Sequence, residues 1–181
     1  MQKPNTKRLA TISMLAAISV ILVTLIHFPI FPAVSFLAYD PADVPIFIGT
    51  FAFGPFWGIA LTAIVSIIQG VTVSANDGLV GALMHILATG SFALVAGLIY
   101  RRNKTRRRAV LALCCGTATM VAIMVLWNLI VTPWYLGVPT SVVTGLLPWI
   151  ILFNLIKAGG NSLLTFLLYK PTHGLIEKIE K

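Results

Sequence analysis

The fold of this chain is decided by its last long apolar stretch, Leu146-Leu-Pro-Trp-Ile-Ile-Leu-Phe-Asn-Leu-Ile-Lys-Ala-Gly-Gly-Asn-Ser-Leu-Leu-Thr-Phe-Leu-Leu-Tyr169. It exceeds the about 20 residues that a membrane-spanning helix needs. Its one charged residue is Lys157, and no carboxylate lies within ten residues on either side. Inserting an ammonium group at membrane depth costs at least about 2.5 kcal/mol. Lys157 therefore requires a polar partner, a water-filled cavity or a ligand.

Two asparagines accompany this lysine at helical spacing. Asn154 precedes it by three residues and Asn161 follows it by four. Residues three and four apart share one face of a helix. The sequence therefore predicts a polar stripe along an otherwise apolar helix.

The composition is that of a membrane protein. The 181 residues are 58% hydrophobic and 10% charged, whereas soluble domains are about 25% charged. The mean hydropathy is +0.95. Apart from Lys157, every Lys and Arg lies in the two tails or in the cluster 101–108. The net charge of +8 is thus concentrated outside the apolar segments, which favours membrane loops over a nucleic-acid partner.

Proline, glycine and charged residues divide the chain into six predicted helices, and we expect one transmembrane domain over residues 1–181. Pro29 and Pro32 cannot continue the first helix. Asp40 is the expected N-cap of the second helix, and Gly54-Pro55 separates it from the third. The adjacent Cys114 and Cys115 indicate small buried residues rather than a disulfide or a metal site. The predicted helices span about 8–26, 41–53, 56–70, 79–100, 109–131 and 146–169.

Six crossings place both termini and the cluster 101–108 on one side of the membrane. The positive-inside rule assigns that side to the cytoplasm. The outer loops then contain no Lys or Arg. The expected fold class is an all-α integral membrane protein with cytoplasmic N- and C-termini.

This topology gathers several polar and aromatic residues in the outer half of the membrane. They come from the loop after helix one and from helices four to six. Ligand pockets are mostly apolar with a few placed polar groups, and asparagine can both donate to and accept from a planar heterocycle. The candidate pocket residues are Tyr39, His85, Asn128, Asn154, Lys157 and Tyr135, with Thr132 and Trp134 nearby.

Each candidate also has an ordinary structural explanation. Asn128 can bond one helix to another, and His85 can be a satisfied interhelical histidine. Trp134 and Tyr135, expected in the loop after helix five, can anchor the membrane interface. Ser13 and Ala17 form a small-xxx-small pair that allows another helix to approach closely; this can be packing within the same chain.

Catalytic motifs are absent from the sequence, and we expect a protein that is not an enzyme. It contains no G-x-x-x-x-G-K-[S/T] phosphate loop, so ATP hydrolysis by this chain alone is not expected. H-E-x-x-H, C-x-x-C and G-x-S-x-G are also missing. We expect neither a metal nor a bound cofactor.

Four stretches resemble a known family, the substrate-binding S components of energy-coupling-factor (ECF) vitamin transporters, and among these the riboflavin-specific members most. The more specific pieces are Asn154-x-x-Lys157 in helix six and Asn128, which stands four residues before Thr132-Pro133. The stretches are Leu37-Ala-Tyr-Asp-Pro-Ala-Asp-Val-Pro-Ile-Phe-Ile-Gly49, Phe53-Gly-Pro-Phe-Trp-Gly58, Asn128-Leu-Ile-Val-Thr-Pro-Trp-Tyr135 and Phe153-Asn-Leu-Ile-Lys157.

The resemblance implies a six-helix S-component bundle that binds a vitamin with high affinity near its outer face. The loop containing Leu37, Ala38 and Tyr39 would cover the ligand, and helices four to six would line its pocket. The residues that match the family's polar ligand contacts are Asn128, Asn154 and Lys157.

The resemblance also implies partners in the plasma membrane of a bacterium: a transmembrane coupling subunit and two ATPase subunits. Ser13-xxx-Ala17 stands where the family has an Ala-xxx-Ala docking pattern. The segment 70–78 and the region of His85 differ from the best-known riboflavin members, so pantothenate or another small vitamin stays open as ligand. A small channel or a membrane enzyme is the alternative from another class.

Overall fold

The computed structural model describes residues 6–75 and 78–180, with residues 170–180 as backbone only. Within these residues the chain forms six α-helices, which confirms the predicted all-α membrane fold. Four of them, α1, α4, α5 and α6, are long and apolar enough to cross a membrane, and α2 and α3 are shorter. The helices are α1 Thr6–Leu25, α2 Asp43–Phe53, α3 Pro55–Val71, α4 Gly78–Arg102, α5 Arg106–Leu136 and α6 Thr140–Glu180.

The segment between α1 and α2 forms a compact apolar cover. Two short antiparallel strands, β1 (Phe28–Pro29) and β2 (Ala38–Tyr39), pair across it. Between them lies a 3-10 turn at Pro32–Val34. Val34 is fully buried and Leu37 is 2% exposed, so the segment folds inward, as its apolar sequence predicts.

The second helix begins two residues later than predicted, and Asp40 is not its N-cap. The N-cap position belongs to Ala42, without a side-chain cap. Asp40 lies outside the helix, where its Oδ1 accepts the Ala42 N–H at 3.1 Å. Its other carboxylate oxygen, Oδ2, has a distant partner, described below.

The last two helices extend beyond their predicted limits. Pro133 lies inside the final turn of α5, which ends at Gly137 with φ +66°. Transmembrane helices tolerate proline because neighbouring groups satisfy the backbone carbonyl that it leaves without a donor. Trp134 and Tyr135 are therefore helical rather than in a loop. Helix α6 begins at Thr140 and continues through Pro148. The prediction that Cys114 and Cys115 are buried is also wrong, because Cys114 is exposed and Cys115 is half-buried.

Helix α2 is the centre of the bundle. Residues 43–51 are all buried, and the helix packs against α1, α3, α4 and α6, as expected for a helix with apolar residues on every side apart from Asp43 and Thr50. Phe47 stacks on Phe92 of α4, with ring centroids 3.7 Å apart. Further along, Phe51 stacks on Tyr100 at 4.3 Å. Helices α2 and α4 therefore run in the same direction.

This arrangement separates two ends of the bundle. Arg101 and Arg102 form the last turn of α4, beside the end of α2. The start of α2, the cover segment and His85 lie at the other end, about 24 Å away at 1.5 Å of rise per helical residue.

Candidate ligand-binding site

Lys157 is neutralised by a carboxylate that is remote in sequence. Its Nζ donates to Oδ2 of Asp40 at 2.7 Å, and both side chains are buried. It also donates to the carbonyl oxygen of Ala38 at 3.4 Å. Lys157, which is 8% exposed, therefore has the polar partner that the burial of its ammonium group demands.

Asn161 ties the cover segment to α6. Its Nδ2 donates to the carbonyl oxygen of Asp40 at 3.0 Å and to Oδ2 of Asp43 at 3.2 Å. Its Oδ1 accepts from the Tyr39 hydroxyl at 3.1 Å. Burial and the neighbouring Asp40 carboxylate raise the pKa of Tyr39, so this hydroxyl remains a donor. The polar stripe predicted on α6 is thus the surface to which the cover segment attaches.

A second buried carboxylate, Asp43, connects four helices. Besides Asn161, its partners are Thr89, whose hydroxyl donates to Oδ1 at 2.9 Å, and His85, whose Nε2 lies 3.0 Å from Oδ1. The other imidazole nitrogen of His85 lies 2.7 Å from the Ser66 hydroxyl oxygen. Sequence reasoning missed this network because the partners of Asp43 are distant in sequence.

Two small cavities adjoin Lys157. The first, of about 40 Å³, is mostly apolar; its walls include Leu37, Ala38, Met84, His85, Ala88, Met120, Met124, Phe153, Asn154 and Lys157. The second, of about 70 Å³, is more polar; it is lined by His27, Phe36, Ala38, Asp40, Gln69, Gly70, Ser74, Gly81, Ala82, Met84, His85 and Lys157. Both are far smaller than the about 300–1,000 Å³ of typical ligand pockets.

The structure brings some of the predicted site residues to these cavities and not others. Leu37, Ala38, His85, Asn154 and Lys157 all line the first cavity. Tyr39 reaches the site through its hydrogen bond to Asn161. Tyr135 and Asn128 line neither cavity.

Asn128 and Asn154, which match the polar ligand contacts of the family, differ in their surroundings. In both, Nδ2 donates to a carbonyl oxygen one turn earlier in the same helix, at 2.7 Å for Asn128 and 2.8 Å for Asn154. Asn128 also accepts from the Thr132 hydroxyl at 3.0 Å and is completely buried. Of the two asparagines, Asn154 lines a cavity beside Lys157 and Asn128 does not.

The fold and the buried site can be compared with known proteins. Residues 7–169 match the model of a family described as ECF transporter, substrate-specific component. The chain belongs to this family. As a substrate-specific component it is a multi-pass membrane protein that works with other subunits of a transporter, and this agrees with the four apolar spans.

Individual relatives support the same membership. The chain is 33% identical to "Riboflavin transporter RibU" of Staphylococcus aureus (strain TCH60), over 97% of this chain and 95% of the relative. It is 32% identical to "Riboflavin transporter FmnP" of Bacillus subtilis (strain 168), over 84% and 85% of the two chains. A solved S component of a bacterial ECF transporter superposes with a TM-score of 0.78 at 33% identity, covering 94% of this chain and 97% of that one.

Membership in this family makes the cavities beside Lys157 candidates for the substrate site. A substrate-specific component must hold its substrate within the bundle, and these cavities lie under the cover segment with buried polar groups in their walls. They are therefore the candidate substrate site.

Proposed function

We propose that this chain is the high-affinity riboflavin-binding subunit of an ECF importer. The observation that carries the proposal is the Lys157–Asp40 ion pair at 2.7 Å, set between an apolar and a polar cavity. Two relatives that match 97% of this chain are named riboflavin transporters, which supports this choice of ligand.

The chemistry of the first cavity suits the flavin ring. Met120, Met124 and Phe153 offer an apolar surface to a flat tricyclic ring system, and methionine adapts well to aromatic partners. The Asn154 carboxamide can donate to and accept from the amide-like edge of the ring. Lys157 has three N–H donors, of which two have protein partners, so the third can donate to a ring carbonyl.

The ion pair argues against a carboxylate ligand such as pantothenate. Because Asp40 already neutralises Lys157, a second carboxylate at the same ammonium group would face the charge of Asp40 at close range. Like charges in a poorly solvated site repel strongly. A ligand that presents neutral carbonyl groups avoids this repulsion.

Binding requires the cover segment to move, because the two cavities are too small for riboflavin. Leu37 fills space beside the first cavity and is 2% exposed. The segment is held by the Tyr39–Asn161 hydrogen bond and by Phe31, which packs on Trp149 with ring centroids 5.3 Å apart. Displacing these contacts opens the site at the end of the bundle away from the basic loop 101–108.

Riboflavin uptake also needs a membrane orientation and partners. We infer that loop 101–108 and both termini face the cytoplasm of a bacterial cell, and that the site opens outward. Ser13 and Ala17 are exposed on α1. They line a groove of about 460 Å³ between α1 and α3, which a helix of the coupling subunit can occupy, while two ATPase subunits supply energy.

The test is the ligand that accompanies the protein. The full chain is purified from bacteria grown with riboflavin, and its bound ligand is identified by mass spectrometry. We expect a yellow preparation and quenching of riboflavin fluorescence by ligand-stripped protein, with no competition by excess pantothenate. A colourless preparation that leaves flavin fluorescence unchanged would overturn the proposal.

A further inference from the structure

A buried amide beside the second cavity has a donor without a partner in the described part of the chain. Gln69 lies near the end of α3 and is 7% exposed. Its Nε2 has no hydrogen-bond partner among the described residues. Native proteins pair nearly all buried polar groups, so each exception requires an explanation.

The position of Gln69 is held firmly. Its backbone carbonyl oxygen accepts from the N–H groups of Thr72 at 3.1 Å and Ser74 at 2.9 Å, which closes the end of α3. At the next residue, Gly70, the backbone of α3 packs closely against the start of α4. A Cβ atom added there would lie 3.1 Å from the carbonyl oxygen of Gly78. The helix end therefore presents the Gln69 side chain to the cavity from a fixed backbone.

The cavity that Gln69 lines has the polarity to receive hydroxyl groups. Its walls include Asp40, Ser74 and His85 as well as Gln69. The Asp40 carboxylate accepts from Ala42 N and Lys157 Nζ. Two carboxylate oxygens offer about four acceptor positions, so Asp40 keeps capacity for hydroxyl donors. Gln69 supplies the complementary donor.

The two cavities meet at Lys157. Each is lined by this lysine together with Ala38, Met84 and His85. A ligand that spans them would have an apolar, planar part on the α5 and α6 side and a polar part on the α3 side.

We propose that the Gln69 cavity is the second arm of the substrate site and that Gln69 donates a hydrogen bond to a hydroxyl group of a polyhydroxyl chain. This inference rests on the proposed function: the ring of riboflavin occupies the first cavity and its ribityl chain enters the second. The Gln69 donor that has no partner among the described residues is then the group that binds substrate.

The chain offers a matched control in Ser19. Its hydroxyl is the other buried side-chain polar atom without a partner in the described part of the chain. Ser19 lies on α1 and lines neither cavity. A buried unpaired atom that is remote from the site should not affect ligand selection.

The experiment compares riboflavin with lumiflavin, which has the same ring but a methyl group in place of the ribityl chain. Dissociation constants are measured by fluorescence quenching with purified full-length Gln69→Met, Ser19→Ala and unmodified protein. In Gln69→Met we expect affinity for riboflavin to fall about tenfold, as for loss of one hydrogen bond, with lumiflavin affinity unchanged. Ser19→Ala should leave both unchanged.

Thermal unfolding without ligand separates a binding role from a structural one. Replacing an unpaired buried donor by an apolar side chain is neutral or stabilising, so Gln69→Met should not lower the unfolding temperature. Equal weakening of both flavins, no weakening of either, or a lower unfolding temperature overturns this inference alone. If the unmodified protein binds neither flavin, the proposed function fails and the inference fails with it.

Discussion

The ammonium group of Lys157 on α6 lies 2.7 Å from the carboxylate of Asp40 in the cover segment, and both groups are buried. The pair joins two parts of the chain that are 117 residues apart. It compensates the one charge that the sequence places inside a spanning helix, and it positions the lysine between the two cavities.

Breaking this ion pair from one side should be more damaging than removing both charges. Lys157→Met leaves Asp40 buried and uncompensated, which is expected to cost about 3–5 kcal/mol of stability. The double variant Asp40→Asn/Lys157→Met should regain most of this loss, measured as thermal unfolding temperature. Its riboflavin affinity should remain lower by about 1.5–3 kcal/mol, the value of a charged hydrogen bond. Equal stability of the single and double variants would contradict this account.

Asn154 is expected to contact the flavin ring. Asn154→Leu keeps the branching and the number of side-chain heavy atoms but removes the carboxamide from the cavity wall, so riboflavin affinity should fall about tenfold. Thr144→Val on the same helix is the control, because Thr144 is exposed and bonds only to the carbonyl oxygen of Thr140. Fluorescence titration of both variants checks this prediction, and equal affinities would argue against a ligand contact by Asn154.

The Tyr39–Asn161 hydrogen bond should restrain the cover segment. Tyr39→Phe removes this bond, so stopped-flow fluorescence should show faster association and faster dissociation of riboflavin. Because the pKa of Tyr39 is raised by burial and by Asp40, the hydroxyl stays protonated as pH rises to 9. The difference between variant and unmodified protein should therefore be the same at pH 7 and pH 9. Identical rates in the two proteins would mean that another contact limits opening.

The Asp43 network should contribute to stability in proportion to the hydrogen bonds removed. Thr89→Val deletes one donor to a charged acceptor and should cost about 1.5–3 kcal/mol. Asp43→Asn replaces an acceptor of three hydrogen bonds by a group that must also donate, so its cost should be larger. Chemical or thermal unfolding in detergent gives the comparison, and a more stable Asp43→Asn than Thr89→Val would contradict the network.

The groove between α1 and α3 should be needed for assembly but not for ligand binding. Ala17→Trp fills the exposed small-residue surface, so co-purification with the coupling subunit should be lost while riboflavin affinity is unchanged. Leu94→Trp on α4, where Leu94 is 42% exposed, is the control and should preserve assembly. Retained assembly of Ala17→Trp would place the docking surface elsewhere.

The sequence alone predicted the number of helices and the membrane class because these depend on local composition. Apolar runs of spanning length, separated by proline, glycine and clustered charge, leave few alternatives in a medium where every backbone group must be satisfied internally. Helix ends were predicted less well. Pro133 and Pro148 are tolerated within helices α5 and α6, because neighbouring helices, Ser/Thr side chains and local adjustments satisfy the backbone groups that proline frees in a transmembrane helix.

The partners of the buried charges could not be predicted in this way. Asp40 was expected to cap a helix, which is a local role, and its observed partner lies on α6. His85 was a candidate for ligand binding and also for interhelical bonding, and the structure gives it both a cavity wall and the Asp43 network.

By itself the sequence determined that Lys157 lies within an apolar helix and must have a partner, since burying an ammonium group is costly wherever the fold places it. Only the tertiary structure decided that the partner is Asp40, and that Gln69, a residue without a distinctive motif, lies at the same cavity. Electrostatic and hydrogen-bond partners are selected by proximity in space, and in this protein that proximity is created by a cover segment folding onto α6.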